Sequence, residues 1–151
     1  MERIASFCVD HTILEKGVYV SRIDGDVTTY DIRMRLPNRE KVMDNAAIHT
    51  IEHLFATFAR NSEYKDSVIY FGPMGCRTGF YFLTRSLDNQ TVLDLIRAAF
   101  KFIAEYEGEI PGTTAKECGN YLDHDLETAK AEAAQMVTIL KPFTIKNMTY
   151  L

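Results

Sequence analysis

The chain of 151 residues fits one compact domain, residues 1–151, with a core large enough to form without disulfides. Its net charge of −4 and the lack of any basic run argue against nucleic acid as a partner. No window approaches the ~20 apolar residues of a membrane span, no signal peptide is evident, and the 3 widely spaced cysteines make a poor disulfide framework. We therefore expect a cytoplasmic protein with no membrane partner.

The pattern of apolar residues predicts four strands and three helices in the order ββ-α-ββ-α-α. Strands are expected over 17–23 and 28–36, joined by a turn at 24–26, and over 67–72 and 78–86. Helices are expected over 44–61, over 90–107 after a cap at Asp88, and over 125–140 with a stripe that includes Val137. Hairpins pair antiparallel strands, so the predicted fold is α+β: a small antiparallel sheet of about four strands with helices packed on one face.

The first helix carries two histidines that can share a metal ion. His49 and His53 are separated by four residues and lie on one side of the helix, roughly opposite its apolar stripe. Surface histidines are the ordinary alternative for this spacing. Cys118, in a loop with Gly119, is the best third ligand, although a buried small residue is its simplest interpretation. Two imidazoles and a thiolate suit zinc or ferrous iron and leave an open, catalytic position.

Two further residues carry chemistry beside these ligands. Glu52 precedes a predicted ligand on the same helix and can act as a general acid or base on a bound molecule, unless it is merely a solvated glutamate. Cys76 lies in a loop shaped by glycines, where Arg77 or a nearby metal would favour the thiolate. A structural cysteine in a turn is an equally good interpretation of Cys76. Asp123 and His124, after Cys118, receive no assigned role.

Taken together, the motifs resemble the S-ribosylhomocysteine lyase family, the synthases of a quorum-sensing autoinducer. The resemblance runs nearly end to end and rests on six strings in order: SFxxDH at 6–11, YDIR at 30–33, PN at 37–38, HTIEHLFATFAR at 49–60, GPMGCRTGFY at 72–81 and ECGNYxDHDLxxAK at 117–130. The combination of HTIEH, PMGCRTG and ECGN is highly specific.

The resemblance implies a homodimer with shared active sites and the metal site on a helix at the subunit interface. It implies one divalent metal per subunit, ferrous iron in the native state and often zinc in isolated protein. By motif match, the metal ligands fall on His49, His53 and Cys118, and the acid–base residues on Cys76 and Glu52. Positions that contact substrate, supplied by the other subunit, fall on three residues: Ser6, His11 and Arg33.

The implied reaction cleaves the thioether of S-ribosylhomocysteine without redox chemistry. Two proton shifts move the sugar carbonyl from C1 to C3, and loss of the C4 proton then expels homocysteine. The other product is 4,5-dihydroxy-2,3-pentanedione, the autoinducer precursor, and the reaction belongs to the recycling of S-adenosylhomocysteine in the activated methyl cycle. This chain departs from the family's usual pattern at Tyr70, Phe71 and Gly72, near the implied homocysteine end of the pocket.

Two other functions compete with this hypothesis. H-x-x-E-H is also the signature of inverzincin metallopeptidases, whose third ligand is a distal glutamate and which give no role to the PMGC string. A non-catalytic, metal-stabilised interaction domain would instead have four protein ligands, a closed site and an unfolded metal-free state.

Overall fold

The computed structural model describes all residues from 1 to 151 and contains the predicted elements in the predicted order. The strands and helices are β1 Gly17–Asp24, β2 Val27–Arg33, α1 Asn45–Arg60, β3 Val68–Pro73, β4 Gly79–Arg85, α2 Asn89–Ala104 and α3 Leu126–Leu140. Short 3-10 turns cover Ala5–Phe7, Lys65–Ser67 and Ile145–Asn147. The α+β class with a four-stranded antiparallel sheet is confirmed.

The sheet has the strand order β1-β2-β4-β3, with β2 and β4 in the centre. Side chains alternate along β2, so Tyr30 and Ile32 lie on one face while Asp31 and Arg33 lie on the other. Tyr30 pairs with Phe82 of β4 in register, which makes the Tyr30 face the apolar one. The Asp31–Arg33 face is the opposite side of the same sheet.

Helix α1 packs on the apolar face of the sheet through Phe55. The Phe55 ring stacks on Phe71 of β3 with centroids 3.8 Å apart and meets Phe82 edge-on at 5.1 Å. This packing fixes which side of α1 points inward, because residues one turn apart share a side of a helix. The two histidines therefore lie away from the sheet, where the sequence pattern placed them.

Helix α2 begins where predicted, because the Asp88 side chain accepts a hydrogen bond from the Thr91 backbone N–H. Helix α3 packs along α2 and contributes to a core cluster of 26 buried residues. The predicted stripe of α3 was wrong at Val137, which is exposed, whereas Met136 is buried. The inward side also holds Glu132, which is paired with Arg35 from the segment after β2.

Two element ends differ from the predictions. Strand β2 stops at Arg33 because the backbone N–H groups of Met34 and Arg35 both turn to the carbonyl of Thr78. Helix α2 stops at Ala104, short of Gly108 at φ 112°. No helix of the structure combines the length and apolar character that crossing a membrane requires.

Candidate metal centre and active site

Both histidines of α1 are held by backbone carbonyls through the same ring nitrogen. His49 Nδ1 lies 2.8 Å from the carbonyl oxygen of Asp123, and His53 Nδ1 lies 2.8 Å from that of Pro111. A carbonyl oxygen can only accept, so each Nδ1 carries the hydrogen and each Nε2 keeps its lone pair. This is the arrangement that metal-binding histidines adopt in proteins, with the outer hydrogen bond fixing the tautomer and the ring orientation.

The thiol of Cys118 completes a three-donor cluster with these nitrogens. Cys118 Sγ lies 3.4 Å from His49 Nε2 and 3.9 Å from His53 Nε2. Ligand atoms of a tetrahedral zinc site lie ~2.0–2.3 Å from the ion, which places them about 3.5 Å from each other. The three donors therefore fit a zinc-like or ferrous ion with little rearrangement, and the cluster joins α1 to the loop before α3.

A fourth imidazole, which the sequence left unassigned, also lies at this cluster. A ligand-capable atom of His124 is within 4.8 Å of those of His49, His53 and Cys118. The His124 ring stacks on His49, with centroids 3.9 Å and planes 23° apart. Burial, together with His49 and His53, lowers the pKa of His124 to about 4, so this ring is neutral at neutral pH.

The stacking decides how many protein donors the site can use at once. A nitrogen lone pair lies in the plane of its imidazole ring, and two nearly parallel planes do not meet at a point ~2 Å from both nitrogens. His124 and His49 therefore cannot bind the same ion in this arrangement. With His49 as a ligand, the arrangement offers three protein donors and leaves one position for another group, which favours a catalytic over a closed structural site.

An open cleft of about 420 Å³ lies directly beside the centre. Glu52 and His53 from α1, Tyr70 from β3, and Pro111 and Gly112 from the loop after α2 contribute to its wall. Gly112 has φ 74°, and a Cβ at this position would lie 3.2 Å from His53 Nδ1. Glycine thus allows the loop to run close to the ring that it holds.

Tyr70 and Gly72 form a matched pair on the β3 edge strand. A Cβ on Gly72 would lie 2.2 Å from the Tyr70 hydroxyl oxygen, so the phenol occupies the space that a side chain at 72 would need. The Tyr70 side chain is exposed and lines the cleft beside Glu52. The pair therefore shapes one part of the cleft wall.

Cys76 belongs to a second polar cluster on another part of the fold. Its Sγ lies 3.0 Å from Thr78 Oγ1, which accepts a hydrogen bond of 2.8 Å from Arg33 Nη1. Arg33 also donates to both carboxylate oxygens of Asp31, at 3.1 and 2.7 Å, and the Tyr150 hydroxyl donates to Asp31 at 2.6 Å. The arginine linked to Cys76 is thus Arg33, whereas the sequence pointed to the neighbouring Arg77.

Comparison with known proteins gives a consistent answer over the whole chain. The family model for S-ribosylhomocysteinase (LuxS) matches residues 4–144. S-ribosylhomocysteine lyases of Clostridium acetobutylicum and Clostridium beijerinckii are 49% and 51% identical to this chain, with 99% of each chain covered. That of Phocaeicola vulgatus is 47% identical over 99% of this chain and 98% of its own.

The chain belongs to the S-ribosylhomocysteine lyase family. This confirms the resemblance that the sequence motifs suggested. The relatives are carbon–sulfur lyases, and they align with 99% of this chain. The roles of individual residues rest on geometry, and the structure distributes the eight predicted site residues over three places: the metal donors with Glu52, the cluster of Cys76 and Arg33, and the N-terminal segment with Ser6 and His11.

In this member of the S-ribosylhomocysteine lyase family, the predicted substrate residues lie apart from the three-donor cluster. Ser6 and His11 are on the N-terminal segment 1–13, where His11 Nδ1 lies 2.8 Å from the Val9 carbonyl oxygen. Arg33 is buried at the end of β2, its side chain only 3% exposed. A single chain therefore brings together the metal donors and Glu52, but neither Cys76 nor the three predicted substrate residues join them.

Proposed function

We propose that this protein cleaves the thioether of S-ribosylhomocysteine to homocysteine and 4,5-dihydroxy-2,3-pentanedione with the help of one divalent metal ion per subunit. The reaction is redox-neutral, since two proton shifts move the carbonyl to C3 and the proton lost from C4 is balanced by expulsion of the homocysteine thiolate. The observation that carries the proposal is the cluster of His49, His53 and Cys118, with one position open beside a cleft, in a member of this family.

The donor set is compatible with ferrous iron as the native metal and with zinc in isolated protein. Neutral imidazole and thiolate ligands suit both ions. When bound, the metal supplies a Lewis acid that stabilises negative charge developing on a sugar oxygen. The carbonyls of Asp123 and Pro111 keep both imidazoles in the tautomer that such an ion requires. A metallopeptidase of the H-x-x-E-H type would use a glutamate where this cluster has Cys118.

We assign the proton transfers to Glu52 and Cys76. Glu52 is half-buried on α1, beside His53 in the cleft wall, within reach of a molecule held at the metal. Cys76 is exposed to solvent, and the Thr78 hydroxyl beside it already accepts a hydrogen bond from Arg33. That hydroxyl can therefore direct its own hydrogen to a Cys76 thiolate and stabilise it as a proton acceptor. Both residues move protons and neither changes its oxidation state.

We further propose a homodimer in which each active site is shared. His49 and His53 project from α1, whereas Cys76 is tied to Arg33 on the sheet face that points away from α1. A second protomer can bring its Cys76 cluster and its N-terminal segment to the metal centre of the first. That segment exposes three apolar side chains that a partner would cover: Ile4, Phe7 and Ile13.

Under this arrangement the partner supplies Ser6, His11 and Arg33 to the substrate site. Ser6 and His11 are polar groups suited to sugar hydroxyls. Because both ends of the Arg33 guanidinium are already hydrogen-bonded within its own chain, we infer that Arg33 acts mainly through Thr78 on Cys76.

A thiol-release assay tests the proposed reaction. Protein loaded anaerobically with Fe²⁺ is incubated with S-ribosylhomocysteine, and free thiol is titrated against time. We expect one homocysteine per substrate consumed, no turnover in metal-free protein, and none in Cys76→Ala at unchanged metal content. Cys8→Ala is the matched control, because Cys8 is also an exposed free thiol, and it should retain turnover. Peptide cleavage without thiol release would contradict the lyase proposal.

A further inference from the structure

The His124 ring contacts both histidines of the three-donor cluster. Its ring stacks on His49 at 3.9 Å and meets His53 edge-on, with centroids 4.7 Å and planes 72° apart. Its Nε2 is buried without a hydrogen-bond partner, a state shared in the whole chain only by Thr84 Oγ1. A residue in such contact with both histidines must influence where their rings point.

The His124 ring is itself fixed by α1, the helix that carries His49 and His53. Its Nδ1 lies 3.0 Å from Thr50 Oγ1, which also lies 3.1 Å from the carbonyl oxygen of Ala46 and accepts the Asp125 backbone N–H at 3.0 Å. The carbonyl can only accept, so we assign the Thr50 hydrogen to it. His124 Nδ1–H then donates to Thr50, and the ring cannot turn without breaking this bond.

The contact on His49 adds a restraint that its own hydrogen bond lacks. The bond from His49 Nδ1 to the Asp123 carbonyl holds one edge of the ring but leaves the ring free to tilt about that bond. The His124 ring lies flat against the face of His49 and blocks this tilt. The Nε2 lone pair of His49 thereby points toward Cys118 Sγ, 3.4 Å away.

We propose that His124 is a positioning residue of the metal centre, which raises metal affinity by holding the His49 ring in its ligating orientation and is not itself a ligand. The proposal rests on the proposed metal site. The gain in metal affinity is assigned to the face of the His124 ring, because the nearly parallel planes of His124 and His49 prevent both rings from binding one ion. Residues that orient metal ligands in this way typically contribute ~10–100-fold to metal affinity.

The test compares a substitution that removes the ring at position 124 with one that keeps a flat aromatic ring there. Zn²⁺ affinity is measured by competition with a chromophoric chelator for the wild type, His124→Ala and His124→Phe. We expect His124→Ala to bind Zn²⁺ about 10-fold or more weakly. We expect His124→Phe to recover part of the loss, because phenylalanine keeps the flat face against His49 but lacks the hydrogen bond to Thr50. Lys101→Ala is the control, since Lys101 is exposed on α2 and lies outside the cluster, and it should bind Zn²⁺ like the wild type.

The absorption spectrum of Co²⁺-substituted protein provides a second readout, because its bands report the number and type of donors. It should be the same in the wild type and His124→Phe. The proposal would be overturned if His124→Ala bound Zn²⁺ as tightly as the wild type. It would also be overturned if His124→Phe bound Zn²⁺ no more tightly than His124→Ala. A Co²⁺ spectrum altered in His124→Phe would identify His124 as a ligand and also overturn it.

Folding is controlled by recording the thermal unfolding of each metal-free variant before titration. If His124→Ala does not fold, Thr50→Val carries the test, because it removes the anchor of the His124 ring and keeps every donor. Thr50→Val should then weaken Zn²⁺ binding, and unchanged affinity would overturn the proposal. If the wild type binds no Zn²⁺, the metal site itself is refuted. If the wild type and His124→Ala bind Zn²⁺ equally well, only the role of His124 is refuted.

Discussion

The Thr78 hydroxyl oxygen lies 3.0 Å from the sulfur of Cys76 and receives a hydrogen bond from Arg33 on its other side. Thr78 is buried whereas Cys76 is exposed. The Thr78 hydroxyl therefore acts as a hydrogen-bond relay between the buried Arg33 guanidinium and the accessible Cys76 thiol. This relay requires the hydroxyl group and not merely the shape of threonine.

Replacing Thr78 by valine therefore separates the relay from packing. A hydrogen bond to a charged group contributes ~1.5–3 kcal/mol, so Thr78→Val should lower kcat about 10- to 100-fold. The metal content should stay at the wild-type level, because Thr78 lies outside the three-donor cluster. Thr78→Ser keeps the hydroxyl and should restore most of kcat. Equal kcat values in the wild type and Thr78→Val would contradict the role of the relay.

Gly112 should be sensitive to a single methyl group for two reasons. Its φ of 74° disfavours any other residue, and the added Cβ would lie 3.2 Å from His53 Nδ1. We expect Gly112→Ala to destabilise the fold by about 1 kcal/mol and to lower Zn²⁺ affinity. Gly108→Ala is a matched control, since its φ of 112° is also positive but nothing lies within 4 Å of its Cβ. It should lose stability while retaining Zn²⁺ affinity, and a loss of affinity in both would argue against the His53 contact.

The Asp31–Arg33 pair predicts a large stability effect. The two side chains are 1% and 3% exposed, and removing one charge of a buried pair costs ~3–5 kcal/mol. Asp31→Asn should therefore strongly lower the free energy of unfolding in a denaturant titration. Tyr150→Phe, which removes only the hydroxyl bonded to Asp31, should cost about 1–3 kcal/mol. The exposed pair of Arg22 and Asp24 is the control, and Asp24→Asn should change little.

Tyr70 is expected to affect substrate binding and not the chemical step. It lines the cleft beside Glu52 but is not among the metal donors. A substrate that buries half of the Tyr70 phenol ring would gain ~1 kcal/mol of binding free energy. Tyr70→Ala should therefore raise KM about 5-fold at similar kcat. Gly72→Ala, whose Cβ would displace the phenol, should shift KM as well. A fall in kcat at constant KM would instead place Tyr70 at the reacting atoms.

The local features of the site could be predicted from the sequence, because they depend on spacing within one element. His49 and His53 share a side of α1 through the helical repeat alone. The exposed Val137 and the early end of β2 were missed because neighbouring elements decide them: α2 selects the inward side of α3, and the Thr78 carbonyl captures the N–H groups after Arg33.

The contacts of His124 and Arg33 could not be predicted, because they join residues far apart in the chain. His124 meets Thr50 across 74 positions, and Arg33 meets Thr78 across 45. No periodicity encodes such pairs. The position of His124 six residues after Cys118 was the only local signal, and it did not distinguish a stacked ring from a ligand or a surface histidine.

The central claim is that one active site combines the metal centre of one chain with the Cys76 cluster of another, and mixed dimers test it most directly. Cys76→Ala and His53→Ala chains carrying different tags are co-expressed, and the heterodimer is isolated through both tags. Each parent homodimer should be inactive in the thiol-release assay. The heterodimer has one site with both defects and one with neither, so it should recover about half of the wild-type activity. A heterodimer as inactive as its parents would contradict the shared site.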